Sequence, residues 1–229
     1  MDLRGGKFIT FEGLDGCGKS TQLERLAAKL REQVLPVVVT REPGGTATGE
    51  KIRQLLLDTK TSALIPTAEL ALMFASRAQH LAEIIAPALA SSQIVLCDRF
   101  TDSSEAYQGG GRKLGSKPVL ELHRVLCADL KPDLTILMDS DIGASVERAR
   151  RRNQVRKSDD SDENRFERES RVFFTRVHAA YLEIAKREPE RVVVVDARGT
   201  PDHTHARILE MVGTRLGLLN SSGRAFNVG

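Results

Sequence analysis

The chain has 229 residues, 41% hydrophobic and 28% charged, with a net charge of +3; such values fit one globular domain with ample core and are too mild to select nucleic acid. No apolar run approaches the roughly 20 residues of a membrane span, and the N-terminal MDLRGGK lacks the apolar core of a signal peptide. Cys17, Cys97 and Cys127 are scattered and form no C-x-x-C pair, which excludes a zinc ribbon or a disulfide framework and fits a reducing cytosol.

The first predicted strand, 7–11, runs into Gly13-Leu14-Asp15-Gly16-Cys17-Gly18-Lys19-Ser20, a complete G-x-x-x-x-G-K-[ST] loop. A helix at 19–33, apolar at Leu23, Leu26, Ala27 and Leu30, follows directly. Strand, glycine loop and helix make a phosphate cradle: the glycines let successive N–H groups converge on phosphate oxygens at a helix N-terminus. Lys19 then reaches the β- and γ-phosphates and the Ser20 hydroxyl faces Mg²⁺, with Thr21 next to it. These residues predict a nucleoside triphosphate site that uses ATP and Mg²⁺. Cys17 needs only to be small to fit the loop, a stronger reading than a redox role.

A second strand at 37–41 ends in Arg41, before Glu42-Pro43-Gly44-Gly45, and helices follow at 46–57 and 67–90. The second of these carries Arg77, which on its polar neighbours Gln79, His80 and Glu83 reads equally as an exposed arginine. His80 itself reads as a polar surface or supporting group. A third strand, 93–97, is followed by Asp98 and Arg99; an acid at that place belongs beside the loop's Mg²⁺. Arg99 and Arg41, two planar bidentate donors at neighbouring strand ends, are more than ATP binding requires and suggest an anionic acceptor. A helix at 118–128, a strand at 134–138 and a helix at 141–152 come next. The basic run from Arg148 to Lys157 then meets an acidic one, 158–163. A loop of that composition can close over phosphates and deliver an arginine while excluding water, and Arg148, Arg152 and Arg156 are its candidates. A helix at 164–187 places Phe166, Phe173, Val177, Tyr181 and Ile184 on one face, read as core. The last strand is 191–195.

Near-continuous Val, Ile and Leu in the strands predicts a sheet covered on both faces. Strand–helix alternation makes it α/β, a doubly wound five-stranded parallel sheet with right-handed crossovers. Ligands then bind beyond the carboxyl ends of the strands. The expected organisation is one phosphate-loop kinase domain over 1–217, a mobile lid at about 148–166, and a fraying tail at 218–229.

Glu12-Gly13-Leu14-Asp15-Gly16-Cys17-Gly18-Lys19-Ser20-Thr21, Arg41-Glu42-Pro43-Gly44-Gly45-Thr46, Asp98-Arg99-Phe100, Ala106-Tyr107-Gln108-Gly109-Gly110-Gly111-Arg112 and Asn164-Arg165-Phe166-Glu167 together resemble bacterial thymidylate kinase, a phosphate-loop nucleoside monophosphate kinase, in order from about residue 7 to about 195. The resemblance implies transfer of the ATP γ-phosphoryl to dTMP in dTTP biosynthesis, with Mg²⁺, in the cytoplasm, by a homodimer. It implies that Arg41 and Arg99 hold the dTMP phosphate and that Asp15 lies near the sugar and phosphate, organising the metal or the 3′-hydroxyl. Arg77 would read the base, and Ser104, Tyr107 and Gln108 would complete the pocket, Tyr107 crowding the 2′ position. The family's base-stacking aromatic falls at Met73, so the adjacent Phe74 is expected to cover the base. Members with no arginine in the phosphate loop, as here, take their catalytic arginine from the lid. Asn164 stands where the family often has Asp, which passes a metal or sugar contact to Glu167 or Asp162. Another nucleoside monophosphate kinase is the alternative, and a slow NTPase switch a weaker one, since no guanine-reading N-K-x-D string is present.

Overall fold

The computed structural model describes residues 5–59, 64–156 and 165–219, with backbone only for 153–156. Five parallel strands, β1 (Lys7–Glu12), β2 (Val37–Arg41), β3 (Ile94–Asp98), β4 (Leu134–Asp139) and β5 (Val192–Asp196), lie in the order β2-β3-β1-β4-β5. The expected doubly wound sheet is present. Strand β1 is central and buried from Phe8 onward, because its two faces meet different helices. Ile9 and Phe11 pack with Leu23, Leu26 and Leu30 of α1 (Lys19–Glu32) and with Ile208 and Val212 of α9 (Pro201–Leu216). Phe8, Val95, Cys97 and Phe100 pack on the other face with Ile85, Ala88 and Leu89. Each such large apolar side chain contributes about 1.5–3 kcal/mol on burial.

Four strands reach one residue further than their apolar runs predict, so Glu12, Asp98, Asp139 and Asp196 are the last strand residues rather than the first loop residues. Their backbone is fixed by the ladder, which is what holds a carboxylate steady at the mouth of a cleft.

The predicted helix 67–90 is composite. It comprises α3 (Pro66–His80), a π-helical turn Leu81–Ile85 and α4 (Ala86–Ala90). Pro87 cannot donate a backbone bond and its ring crowds the preceding turn, and a widened turn accommodates both effects. The apolar face of α8 (Arg171–Arg187) is core as expected: Phe173, Val177, Tyr181 and Ile184 pack with Leu14, Tyr107 and Leu137. Ahead of α8, Phe166 lies in a 3₁₀ turn (Phe166–Arg168) and joins the same cluster.

Two helical stretches lie outside the predicted elements. Between β3 and α6 (Ser116–Leu126), the chain forms α5 (Thr101–Ser104) and a π-helical Glu105–Gly111. Its glycines serve close packing: a Cβ on Gly111 would stand 2.5 Å from the Phe173 ring, and one on Gly110 2.7 Å from Ala180. Helix α9 begins at Thr200, whose hydroxyl caps His203 N at 3.3 Å, and ends at left-handed Gly217. The tail boundary shifts accordingly, because Leu219 is buried against α9 and the sheet; residues 220–229 lie outside the described part. The basic run at 148–156 is helical, the end of α7 (Ile142–Arg156), not a loop. The acidic stretch 158–163 and Asn164 lie outside the described residues. Helix α2 (Ala47–Leu57) completes the layer beside α3.

Candidate active site

A cleft of about 1020 Å³ opens at the carboxyl edge of the sheet, lined by the phosphate loop, Arg41, Arg53, Asp98, Arg99, Arg148, Arg152 and Arg198. Gly16 and Gly18 have positive φ, 79° and 99°, a region open to glycine at little cost. At Gly16 a Cβ would also collide with the Ser145 carbonyl of α7. Gly13, Leu14, Asp15 and Cys17 complete the turn, and Gly18 stands at the N-terminus of α1 with Lys19, Ser20 and Thr21 in its first turn. The Lys19 ammonium folds back onto the Gly13 and Leu14 carbonyls at 3.1 and 2.9 Å. Arg148 reaches the loop from α7, donating from Nε to the Gly16 carbonyl at 2.8 Å. Arg152 stands 4.0 Å from Glu167, and the Arg156 side chain lies outside the described residues.

The Ser20 hydroxyl donates to Asp98 Oδ2 at 2.9 Å, while Asp98 Oδ1 is buried without a hydrogen-bond partner. A hydroxyl and a carboxylate with an unused oxygen are hard ligands suited to Mg²⁺. Asp15 and Glu167 do not form a three-carboxylate site with Asp98: among the described residues no group of three or more His, Cys, Asp or Glu side chains could hold a metal. Asp15 instead pairs with Arg99 Nη2 at 2.8 Å and accepts from the Tyr107 hydroxyl at 3.3 Å. Burial opposes ionisation of Asp15, but the Arg99 and Lys19 charges outweigh it and hold the carboxyl below the usual range.

Arg99 has φ 75°, a strained backbone for a side chain of its size. Its Nη1 donates to Ser103 Oγ at 2.8 Å and Tyr181 Oη at 3.1 Å, and its guanidinium lies 4.9 Å over the Tyr107 ring. Arg41, by contrast, is 47% exposed and pairs with Glu50 through bonds of 3.0 Å. An exposed pair of this kind is worth about 0–1 kcal/mol.

Arg77 is buried, not exposed. Its Nε donates to Glu42 Oε2 at 2.7 Å and its Nη2 to the Phe100 carbonyl and Ser104 Oγ at 3.1 and 3.0 Å. Its Nη1 is buried and has no partner. His80 is also buried, bridging Glu42 Oε1 at 3.0 Å and Thr40 Oγ1 at 2.6 Å, which makes it a supporting group. Gln108 donates to Glu69 at 2.8 Å. The expectation for Phe74 is not met. Its ring is fully buried with Leu70, Val119 and Cys127, and Arg77 covers it at 4.6 Å. Met73, half-buried, packs instead against the cluster that contains Leu14, Tyr107 and Phe173.

A family model described as thymidylate kinase matches residues 11–208. The chain belongs to the thymidylate kinase family. Among curated relatives, the thymidylate kinase of Geobacter sulfurreducens is 46% identical over 211 residues, covering 92% of this chain and 98% of that protein. That of Pseudomonas savastanoi is 49% identical, covering 84% and 88%. The crystal structure of thymidylate kinase from Ehrlichia chaffeensis is similar with a TM-score of 0.72 at 34% identity, over 91% of this chain and 98% of that one.

Membership accounts for the motifs, but several members of the site had no role assigned from the sequence. Glu42 orients Arg77, and Glu69 is a fully buried acid receiving Gln108, Arg112 and Arg165. Glu69 had one readable signal, an acid among apolar helix neighbours. Arg198 lies two residues past β5 and donates to Asp139 at 2.5 Å; the strand-end rule stopped just short of it. Arg53 donates to the Pro43 carbonyl at 3.2 Å and had no signal beyond its helix.

Proposed function

We propose that this chain transfers the γ-phosphoryl group of ATP to dTMP, giving dTDP and ADP, as a thymidylate kinase of dTTP biosynthesis. The observation that carries the reading is Arg77 Nη1. A buried guanidinium fixed on three sides by Glu42, Phe100 and Ser104, with both N–H groups of Nη1 left over, is built to meet an acceptor such as a base carbonyl. Leaving that donor unpaired costs about 1–3 kcal/mol, which a ligand recovers. The substrate phosphate goes to Arg99 and Arg41, with Asp15 and Tyr107 beside the sugar, and Ser104 and Gln108 complete the nucleoside pocket.

ATP lies along Gly13–Thr21, where the loop N–H groups and Lys19 face its phosphates. Ser20 and Asp98 would hold Mg²⁺, which when bound neutralises phosphate charge and orients the reacting group. The acceptor is a phosphate oxygen already deprotonated at neutral pH, so no residue has to act as general base. Attack on the γ-phosphorus forms one P–O bond as the bond to the β-phosphate oxygen breaks, and ADP leaves. Charge gathers on the equatorial oxygens of the transferred group, where Lys19, Arg99, Arg148 and Arg152 supply compensating charge. We assign closure over the phosphates to 148–166, which carries these last two arginines and Arg156. No helix among the described residues is long and apolar enough to cross a membrane, and a cytoplasmic homodimer that binds no nucleic acid fits the family.

The test is ADP release from Mg-ATP with dTMP, dUMP, dCMP, dGMP, AMP, GMP and UMP. A strong preference for dTMP, with dUMP a distant second, is expected. Preference for another monophosphate would keep the fold and overturn the substrate, and acceptor-independent hydrolysis would favour the NTPase switch.

A further inference from the structure

Beneath the phosphate-binding arginine lies a buried acid that no motif assigns. Glu12 closes β1, one residue before the loop, and is fully buried. Its Oε1 accepts from Phe100 N at 2.7 Å. Its Oε2 accepts from two hydroxyls, Ser103 Oγ at 2.5 Å and Tyr181 Oη at 2.9 Å, which are themselves 2.9 Å apart. Those two hydroxyls are the acceptors of Arg99 Nη1. Resting on the reading that Arg99 binds the acceptor phosphate, we propose that Glu12 is a positioning residue that sets the direction of the Ser103 and Tyr181 hydroxyls and so aims Arg99 at that phosphate.

The argument is one of hydrogen-bond polarity. A hydroxyl has one proton and two lone pairs. With Glu12 taking both protons, Ser103 and Tyr181 are left with only lone pairs toward Arg99, and a guanidinium has only donors. The carboxylate therefore forces the one arrangement in which Nη1 is doubly satisfied. Phe100 N ties the same carboxylate to the backbone directly after Arg99, where the strained φ has to be held. With Nη1 fixed from below, Nη2 alone faces Asp15 and the cleft. Glu12 touches no substrate in this account.

Glu12→Gln tests this with little change of shape. The amide oxygen keeps Phe100 N, and the NH₂ then faces the two hydroxyls as a donor, turning their protons toward Arg99. Donor meets donor. Tyr181→Phe removes one of the two acceptors and leaves the ring. Binding of dTMP and of thymidine is measured by calorimetry at about pH 8, where an ordinary or moderately raised carboxyl is ionised, together with Mg-ATP affinity. The loss of hydrogen bonds to a charged group predicts dTMP binding about ten-fold weaker in Glu12→Gln and somewhat less so in Tyr181→Phe. Thymidine and ATP affinities should stay within about two-fold, because neither ligand presents a phosphate to Arg99. Unchanged dTMP binding in Glu12→Gln, or a parallel loss for thymidine, overturns the proposal. Should Glu12→Gln not fold, Tyr181→Phe decides by the same comparison. Failure of the wild-type protein to bind dTMP more tightly than thymidine would instead overturn the assignment of Arg99 itself.

Discussion

The Arg99 side chain is held by four partners, Asp15, Ser103, Tyr107 and Tyr181, yet only its Nη2 contacts face the cleft, so its loss should be selective. Arg99→Ala should abolish dTMP phosphorylation, with kcat/KM down at least roughly 10²–10³-fold from two charge-assisted bonds, and leave ATP binding largely intact. Nucleotide titration and steady-state kinetics check this, and a matching loss of ATP affinity would place Arg99 elsewhere in the site. At the neighbouring position, Asp98→Asn keeps the bond from Ser20 but removes the charge beside the unpartnered oxygen. Its expected effect is a Mg²⁺ half-saturation raised about ten-fold, read from activity against Mg²⁺ concentration; an unchanged curve would remove Asp98 from the metal site. Glu12 gives a third test, on stability. Burial first, then the charge of Asp102, pushes its carboxyl from 4.5 up to about 7, against the pull of Arg99, Ser103 and Phe100 N; Tyr181 faces it as well. The folded state thus keeps a proton that the unfolded chain has lost, and between about 4.5 and 7 stability from this group falls as pH rises. Wild type should lose roughly 1–3 kcal/mol more than Glu12→Gln between about pH 5 and pH 7 in urea unfolding. Parallel pH dependences would mean that the carboxyl titrates normally.

At the scale of elements, the site stands on a helix that has to lie close to another. Thr101–Gly111 carries Ser103, Ser104, Tyr107 and Gln108, and it meets α8 through glycine. Gly111→Ala forces a Cβ into Phe173, an overpacking expected to cost about 1–3 kcal/mol and roughly 3–10 °C in Tm for a chain of this length; calorimetry with no change would show that the ring simply moves aside. The same element shows why part of the fold was unreadable. Five strands and the loop announced themselves because each depends on local chemistry: an apolar run, a glycine turn, a lysine at a fixed spacing. Thr101–Gly111 depends on partners distant in sequence, and three glycines in a row contradict any helical propensity. Helix α9 was legible in principle, with a Thr200 cap, Pro201 in its first turn and a closing Gly217. Phe74 was misjudged for a different reason. Which of two adjacent helix residues faces a cleft is decided by rotation about the helix axis, and the Pro87 turn and the packing on Val119 set that rotation. Arg77 was equally ambiguous, since its burial rests on Glu42, which is 35 residues away.

At the scale of the whole molecule, every group assigned to chemistry lies at the carboxyl edge of one sheet, as parallel strands with covered faces require. The far flank has a different character. Helices α2 and α6 each contact α3, and among the exposed large apolar residues Leu55 is on α2 while Leu120, Val125 and Leu126 are on α6. Val34, Val172 and Val194 are exposed too, but each is on a different element, and single exposed apolar side chains are ordinary. Exposed apolar side chains on α2 and α6 are suited to a second copy of themselves, because a two-fold axis pairs the same patch with its mate. A stable pair needs about 800 Å² buried per partner with an apolar centre, and a charge placed there is left without a counter-ion. Sedimentation velocity at micromolar concentration should show a dimer, and Leu120→Arg should shift it to monomer without changing the fold seen by circular dichroism. Because Arg77, Ser76 and Glu69 are carried on α3, the monomeric variant should also lose dTMP affinity more than ATP affinity. A wild-type monomer would refute the dimer, and a dimer indifferent to Leu120→Arg would place its interface on another face.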